Sequence, residues 1–340
     1  MYKAINVQDG TSIIILDPKW VGAIDHLRRL DAQDLLVCQR CKQRMRVRAG
    51  EIRRWHFAHK HLLNCPYGQE SPVLLDARAV LYEWLVSKFG DQVTIEKHVN
   101  AAEFERPIDC WVEQGTNSVA YWIMDKAIRP DDRESLRAGF GRLKATVNWL
   151  FTASMLRPDE SQAESIHLTT TEREFMQHTV YDEVVSGELE GKSLHYLDSD
   201  QRTLTTFRGL RLIHSPQLFK GHKLSHAIAE ILVAPEKGEF VHPGEHEQWQ
   251  EYRRQQAELE KKHREAEKSL ESVPRTRPAV RPGWRELVEG KPQASDQPAQ
   301  SIYQIEGVCE FCGKRTTDLW YYDGKTRLGK CRTCLAEGKC

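Results

Sequence analysis

The sequence predicts an α/β protein built on a mixed sheet flanked by helices. It adds a zinc module near the start, a long charged helix and a C-terminal zinc ribbon. Three observations predict this. Residues 70–151 run in the order helix, three strands, helix, strand. Seven of the nine cysteines fall into two groups with metal-ligand spacing. Residues 245–272 are almost all Glu, Lys, Arg and Gln.

Taken in order, residues 2–16 alternate polar and apolar and read as two short strands. DPKWVGAIDHLRRLD (17–31) reads as a turn and a short helix, which closes a first segment at 1–34. Residues 35–68 hold the first Cys/His cluster. In 70–89, apolar side chains recur at 74, 75, 80, 81, 84, 85 and 89, a helical stripe, and Pro72 suits a first turn. Strands follow at 92–99, 106–112 and 118–125, then a helix at 133–143 and a strand at 145–151. These make an α/β core over 69–158. Residues 159–243 read as an accessory α/β region, with SLHYLD, TLTTFRGLRLIH and AEILVAP as strands around a short helix. KGEFVHPGE punctuates its end.

The charged helix covers 244–272. Its heptad positions 249, 252, 256, 259, 263, 266 and 270 hold Trp, Tyr, Gln, Leu, His, Ala and Leu, a weak seam. It suits either a solvated single helix or a partner-binding one. Residues 273–303 read as a flexible linker, five prolines falling before position 300. The ribbon occupies 304–340.

Formal net charge is zero, so the case for nucleic acid rests on local clusters alone. MYKAINVQDG carries no signal pattern, and runs such as SIIIL are too short to span a bilayer. The expectation is a soluble cytoplasmic protein without membrane contact. There is no G-x-x-x-x-G-K-[ST] loop, so ATP use is not expected.

Cys309, Cys312, Cys331 and Cys334 form C-x2-C-x18-C-x2-C. Two such knuckles close a tetrahedral S4 site around Zn²⁺ with no open position, so the site builds fold rather than catalyses. The ribbon is too short to bury a sizeable core, and the metal should supply much of its stability. Cys38, Cys41, His56, His59 and Cys65 offer five ligands for a second zinc ion. Cys38, Cys41, His59 and Cys65 are favoured, with His56 the alternative fourth ligand. The same stretch is basic: Arg40, Lys42, Arg44, Arg46, Arg48, Arg53, Arg54 and Lys60 face only Glu51. A zinc-pinned loop of that charge suits phosphate contacts, and Trp55 and Phe57 could stack on bases or form the hairpin's own core. A second tract carries Arg202, Arg208, Arg211, Lys220 and Lys223.

The order CxxC, HFAH, Cys, ES opening a helix, a strand Glu, RPID, an apolar strand and VNWLF resembles the CoiA-like competence protein family over about residues 35–155. The resemblance implies a restriction-endonuclease-like PD-(D/E)xK core, in which acids hold Mg²⁺ or Mn²⁺ and the metal activates water. On it, Glu70 matches the helix acid, Glu96 a first-strand acid and Asp109 the RPxD acid. Two departures stand out. Leu74 falls where the family has His, and Trp122 and Met124 fall where its next strand carries Glu-x-Gln. Asp125 and Lys126 are the nearest substitutes.

Three readings follow. The first is a nucleic-acid-binding protein with a catalytically impaired or inactive nuclease-like core, acting in DNA processing, uptake, recombination or defence. The second is an active, divergent Mg²⁺-dependent endonuclease using Glu70, Glu96, Asp109, Asp125 and Lys126. The third is a subunit that meets other proteins through its ribbon and charged helix.

Overall fold

A computed structural model describes residues 1–61, 65, 67 and 70–272, apart from 100–103, 105, 115–116, 180, 183–191, 214–216 and 235–236, and the backbone of four strands between 307 and 331. Strands β1 (Lys3–Asn6) and β2 (Ser12–Ile14), helix α1 (Ile24–Ala32) and strand β3 (Leu36–Val37) form the first module, its sheet ordered β2-β1-β3. Strands β4 (Met45–Arg48) and β5 (His56–His59) pair as a hairpin, with Arg48 opposite His56.

Helix α2 (Pro72–Phe89) starts where the Ser71 hydroxyl accepts from the Leu74 amide at 3.1 Å with Pro72 in the first turn. It stops at Gly90, whose φ of 57° suits a residue without Cβ. The helix is apolar on more than one face, as a helix between two cores must be. Leu74, Ala77, Leu81 and Leu85 pack on the main sheet. Leu75, Ala79 and Tyr82 join the first module's core, which includes Tyr2 and Ala4.

The main sheet has nine strands. They are β6 (Val93–Lys97), β7 (Ile108–Gln114), β8 (Asn117–Met124), β9 (Thr146–Thr152), β10 (Pro158–Asp159), β11 (Gln162–His167), β12 (Leu194–Asp198), β13 (Thr203–Leu212) and β14 (Leu218–Ala227), in the order β10-β11-β14-β13-β12-β9-β8-β7-β6. Helix α3 (Pro130–Leu143) crosses from β8 to its parallel neighbour β9. Side chains alternate along β8. Tyr121 and Ile123 meet the α2 side, while Trp122 and Met124 join Leu136 and Phe140 of α3.

The expected boundary at 158/159 falls inside this sheet, because β12 pairs in parallel with β9, Tyr196 opposite Phe151. Strand β14, unforeseen as a strand, doubles back along β13. Helix α4 (Thr170–Glu174), the short pair β15 (Leu232–Val233) and β16 (Phe240–Val241), and all but the last turn of helix α5 (Glu245–Ser272) complete the first unit, which ends at Ser269. Among the described residues no helix is long and apolar enough to cross a membrane.

The second unit holds β17 (Gly307–Cys309), β18 (Arg315–Thr316), β19 (Leu319–Asp323) and β20 (Leu328–Cys331), in the order β18-β17-β20-β19. Cys309 and Cys331 end two of these strands. Cys312, Cys334 and the expected linker lie outside the described residues.

Candidate functional site

The CQRC turn, β5 and Cys65 beyond it bring four ligands together. The ligand atoms of Cys38, Cys41, His59 and Cys65 all lie within 4.8 Å of one another. The turn is tight: the Lys42 amide donates to the Cys38 carbonyl at 3.0 Å, and Lys42 takes a left-handed φ of 59°. Amides of Cys41 and Arg40 point at the Cys38 sulfur. Cys41 Sγ and His59 Nε2 are 3.3 Å apart, against an edge of about 3.5 Å for a tetrahedron with Zn–S of about 2.3 Å and Zn–N of about 2.0 Å. Burial pushes the Cys38 thiol up to about 12 and also raises Cys65, so thiolates need a cation beside them. Burial lowers His59, which favours the neutral ring that a metal takes. The donor set fits one zinc ion. His56 is not in the set; its Nδ1 lies 2.9 Å from the Arg54 carbonyl.

The basic residues divide by what they touch. Arg54 pairs with Glu83. Lys60 pairs with Asp31 and Asp34, both at 2.8 Å. Arg44 also reaches Asp34, at 2.8 Å. Arg40 donates to the Phe104 carbonyl at 2.9 Å and Lys42 to the Gln39 carbonyl at 2.9 Å. Arg46, Arg48 and Arg53 are exposed and make no ion pair among the described residues. Phe57 is buried in the first module's core, with Trp55 packed beside it, so Phe57 is no stacking surface. In the second tract Arg208 is fully buried and pairs with Glu245, and Arg202 pairs with Glu83; these two are not free for phosphates.

Glu70, Glu96 and Asp109 do converge, and Arg78 of α2 sits among them. The Arg78 side chain is 0% exposed. Its Nε donates to Asp109 Oδ1 at 2.8 Å, and its two terminal nitrogens reach Glu70 at 2.8 and 2.5 Å and Glu96 at 2.7 Å. A second nitrogen of Arg78 also lies 2.7 Å from Asp109 Oδ1, as an ion pair. The remaining carboxylate capacity is also used. Glu96 accepts the amides of Tyr2 at 2.8 Å and Lys3 at 3.0 Å, from a left-handed backbone with φ of 47°. Asp109 accepts the Ile123 amide at 2.7 Å and Arg106 at 2.7 Å. Burial opposes the charge on Glu70, but the Arg78 guanidinium holds its carboxyl below the ordinary value. Those acids in turn hold Arg78 well above its own ordinary value against the pull of burial.

Trp122 completes the picture. The Arg106 guanidinium lies 3.8 Å from the centre of its indole, a cation–π contact. The indole also packs edge-on to Phe140, with ring centres 5.5 Å apart. Asp125 accepts from Ser71 at 2.5 Å, at the start of α2. Lys126 is exposed and stands outside the acid cluster. Arg78 escaped the sequence reading, although a signal was present. It lies four residues after Leu74 and three before Leu81, on the stripe that enters the core, where a lone cation demands acids.

Residues 23–68 match the family model described as Competence protein CoiA, N-terminal domain. That match spans α1, the cysteine turn and the basic hairpin and ends before α2. No curated protein matches the chain, and no solved structure does.

Proposed function

We propose that this chain is a nucleic-acid-binding protein of DNA processing, uptake or recombination, in which a nuclease-like core has exchanged its divalent cation for an internal guanidinium. The observation that carries this is Arg78 bound to Glu70, Glu96 and Asp109 together. Mg²⁺ takes oxygen ligands at about 2.0–2.1 Å and keeps positions open for water. Here the three acids spend their oxygens on N–H donors, and Arg78 fills the space between them. The two β8 positions expected to add ligands carry an indole and a thioether, both packed in the α3 core. Support for binding comes from the exposed Arg46, Arg48 and Arg53 beside a zinc-competent turn, and from the competence-family match to that same segment.

The test is a cleavage assay on single- and double-stranded DNA with Mg²⁺ or Mn²⁺, paired with gel shifts in the same buffers. Binding without cutting is the expected result. Cutting by the wild type that disappears in Asp125→Ala would overturn the reading in favour of an active, divergent endonuclease. Asp125 is half-buried and, among the described residues, holds only the Ser71 hydroxyl, so its loss is not expected to unfold the core.

A further inference from the structure

The loop of the basic hairpin, residues 49–55 between β4 and β5, carries Ile52 with 99% of its surface exposed. No other large apolar side chain among the described residues stands so far out; the next, Val21, is 75% exposed. A single exposed aliphatic is ordinary on a protein surface. The setting of this one is not. The hairpin's other apolar residues, Met45, Val47, Trp55 and Phe57, all join the first module's core, so the hairpin folds without help from Ile52. Side chains alternate along paired strands. Arg46 and Arg48, opposite Ala58 and His56, therefore stand on the face away from Val47 and Phe57. Arg53 follows Ile52 directly. These three cations are exposed and make no ion pair among the described residues.

The projection is also braced on both strands. On the outgoing side the Val47 amide donates to Asp31 at 2.8 Å, and Arg28 of α1 donates to the Ala49 carbonyl at 3.3 Å. On the return side Arg54 pairs with Glu83 of α2, and the Phe57 amide donates to the Met1 carbonyl at 2.7 Å. A loop held at both roots does not fold back when its tip meets resistance. Glu51, exposed beside Ile52, repels a phosphate at the tip itself. Phosphates belong on the flanking arginines, and the tip is left for something apolar between them. Stacked base pairs have that arrangement, and proteins that bend or open DNA insert single Phe, Leu, Ile or Met side chains between base steps. We propose that Ile52 is a wedge that enters the base stack of duplex DNA, with Arg48 and Arg53 on the phosphates beside it. Parting a step costs stacking energy, and least where the duplex is already open, so the preferred site is the junction of single and double strand. The inference deepens the nucleic-acid reading and rests on it.

The experiment titrates the full chain, as purified, into a short forked duplex with 2-aminopurine at the first paired step behind the fork. A blunt duplex of the same sequence and its separate strands are run beside it, as are vesicles of phosphatidylcholine with phosphatidylserine. The expected result is a rise in 2-aminopurine fluorescence as the step unstacks, and binding to the fork about tenfold tighter than to the blunt duplex. Ile52→Asn should erase both the rise and the preference while the melting temperature holds, because a side chain 99% exposed supports no packing. Ile52→Phe, which keeps an apolar wedge, should retain both. A rise that survives Ile52→Asn, or DNA binding by the wild type with no rise, would overturn the wedge and leave the nucleic-acid reading standing. Failure to bind any of the DNAs would overturn both. Vesicle binding that Ile52→Asn abolishes, with no response at the fork, would overturn the wedge and assign the tip to an anionic membrane surface.

Discussion

Replacing Arg78 by Met keeps the length and most of the volume of the side chain and removes its charge. Glu70, 4% exposed at its side chain, then loses the cation that meets both its oxygens. Glu96 keeps the two amides of Tyr2 and Lys3, and Asp109 keeps Arg106 and the Ile123 amide. Breaking a buried pair from one side costs about 3–5 kcal/mol. In a unit of this size, that corresponds to a fall of roughly 10 °C in melting temperature. The pH dependence carries more information. In the wild type the Glu70 carboxyl sits below its ordinary 4.5. Its contribution is therefore complete above about pH 4.5 and is lost as pH falls through the lower folded value. In Arg78→Met, burial without a cation pushes the Glu70 carboxyl up, the folded state binds more protons than the unfolded one, and stability falls as pH rises from 5 to 7. Urea unfolding at a series of pH values reads both slopes. The double variant Arg78→Met with Glu70→Gln should recover about 1–3 kcal/mol. A loss under about 1 kcal/mol, or a variant whose stability still rises with pH, would refute the account of the acids as partners of Arg78.

Three further outcomes are expected. His59→Ala should lower the zinc content of the full chain by one equivalent, whereas His56→Ala should leave it unchanged; metal analysis after gel filtration decides. Neutralising Arg46, Arg48 and Arg53 together should flatten the plot of log affinity against log salt for single-stranded DNA by about 2 units, at about 0.7 per phosphate contact. Glu245→Ala should cost about 3–5 kcal/mol in denaturant unfolding, because Arg208, 0% exposed at its side chain, loses its only carboxylate partner among the described residues.

What the sequence disclosed depended on how local the constraint was. The cysteine turn and HFAH sit 18 residues apart, and ligand chemistry alone narrows five candidates to a plausible four. The run LLDARAVLYEWL announced a buried helix through its periodicity. It hid the meaning of Arg78, because the acids that satisfy it come from residues 70, 96 and 109, and nothing in a helical pattern points to them. The sheet was harder still. The parallel pairing of β9 with β12 joins segments more than 40 residues apart, and no turn residue encodes it. The same distance hides the fate of Arg208, which reads as part of a basic surface until Glu245 arrives from the start of α5.

The left-handed turn at Glu96 has a consequence for how the chain folds. Through that residue the amides of β1, the guanidinium of α2 and the edge of the main sheet share one carboxylate. With any one of the three pieces undocked the carboxylate loses part of its set of donors, and a buried Glu96 left short of them is costly. The cluster thus acts as a coincidence detector. It penalises half-assembled states and lets the first module and the sheet close only together. Amide hydrogens of Tyr2 and Lys3, held by Glu96, should exchange as slowly as those of the central strands.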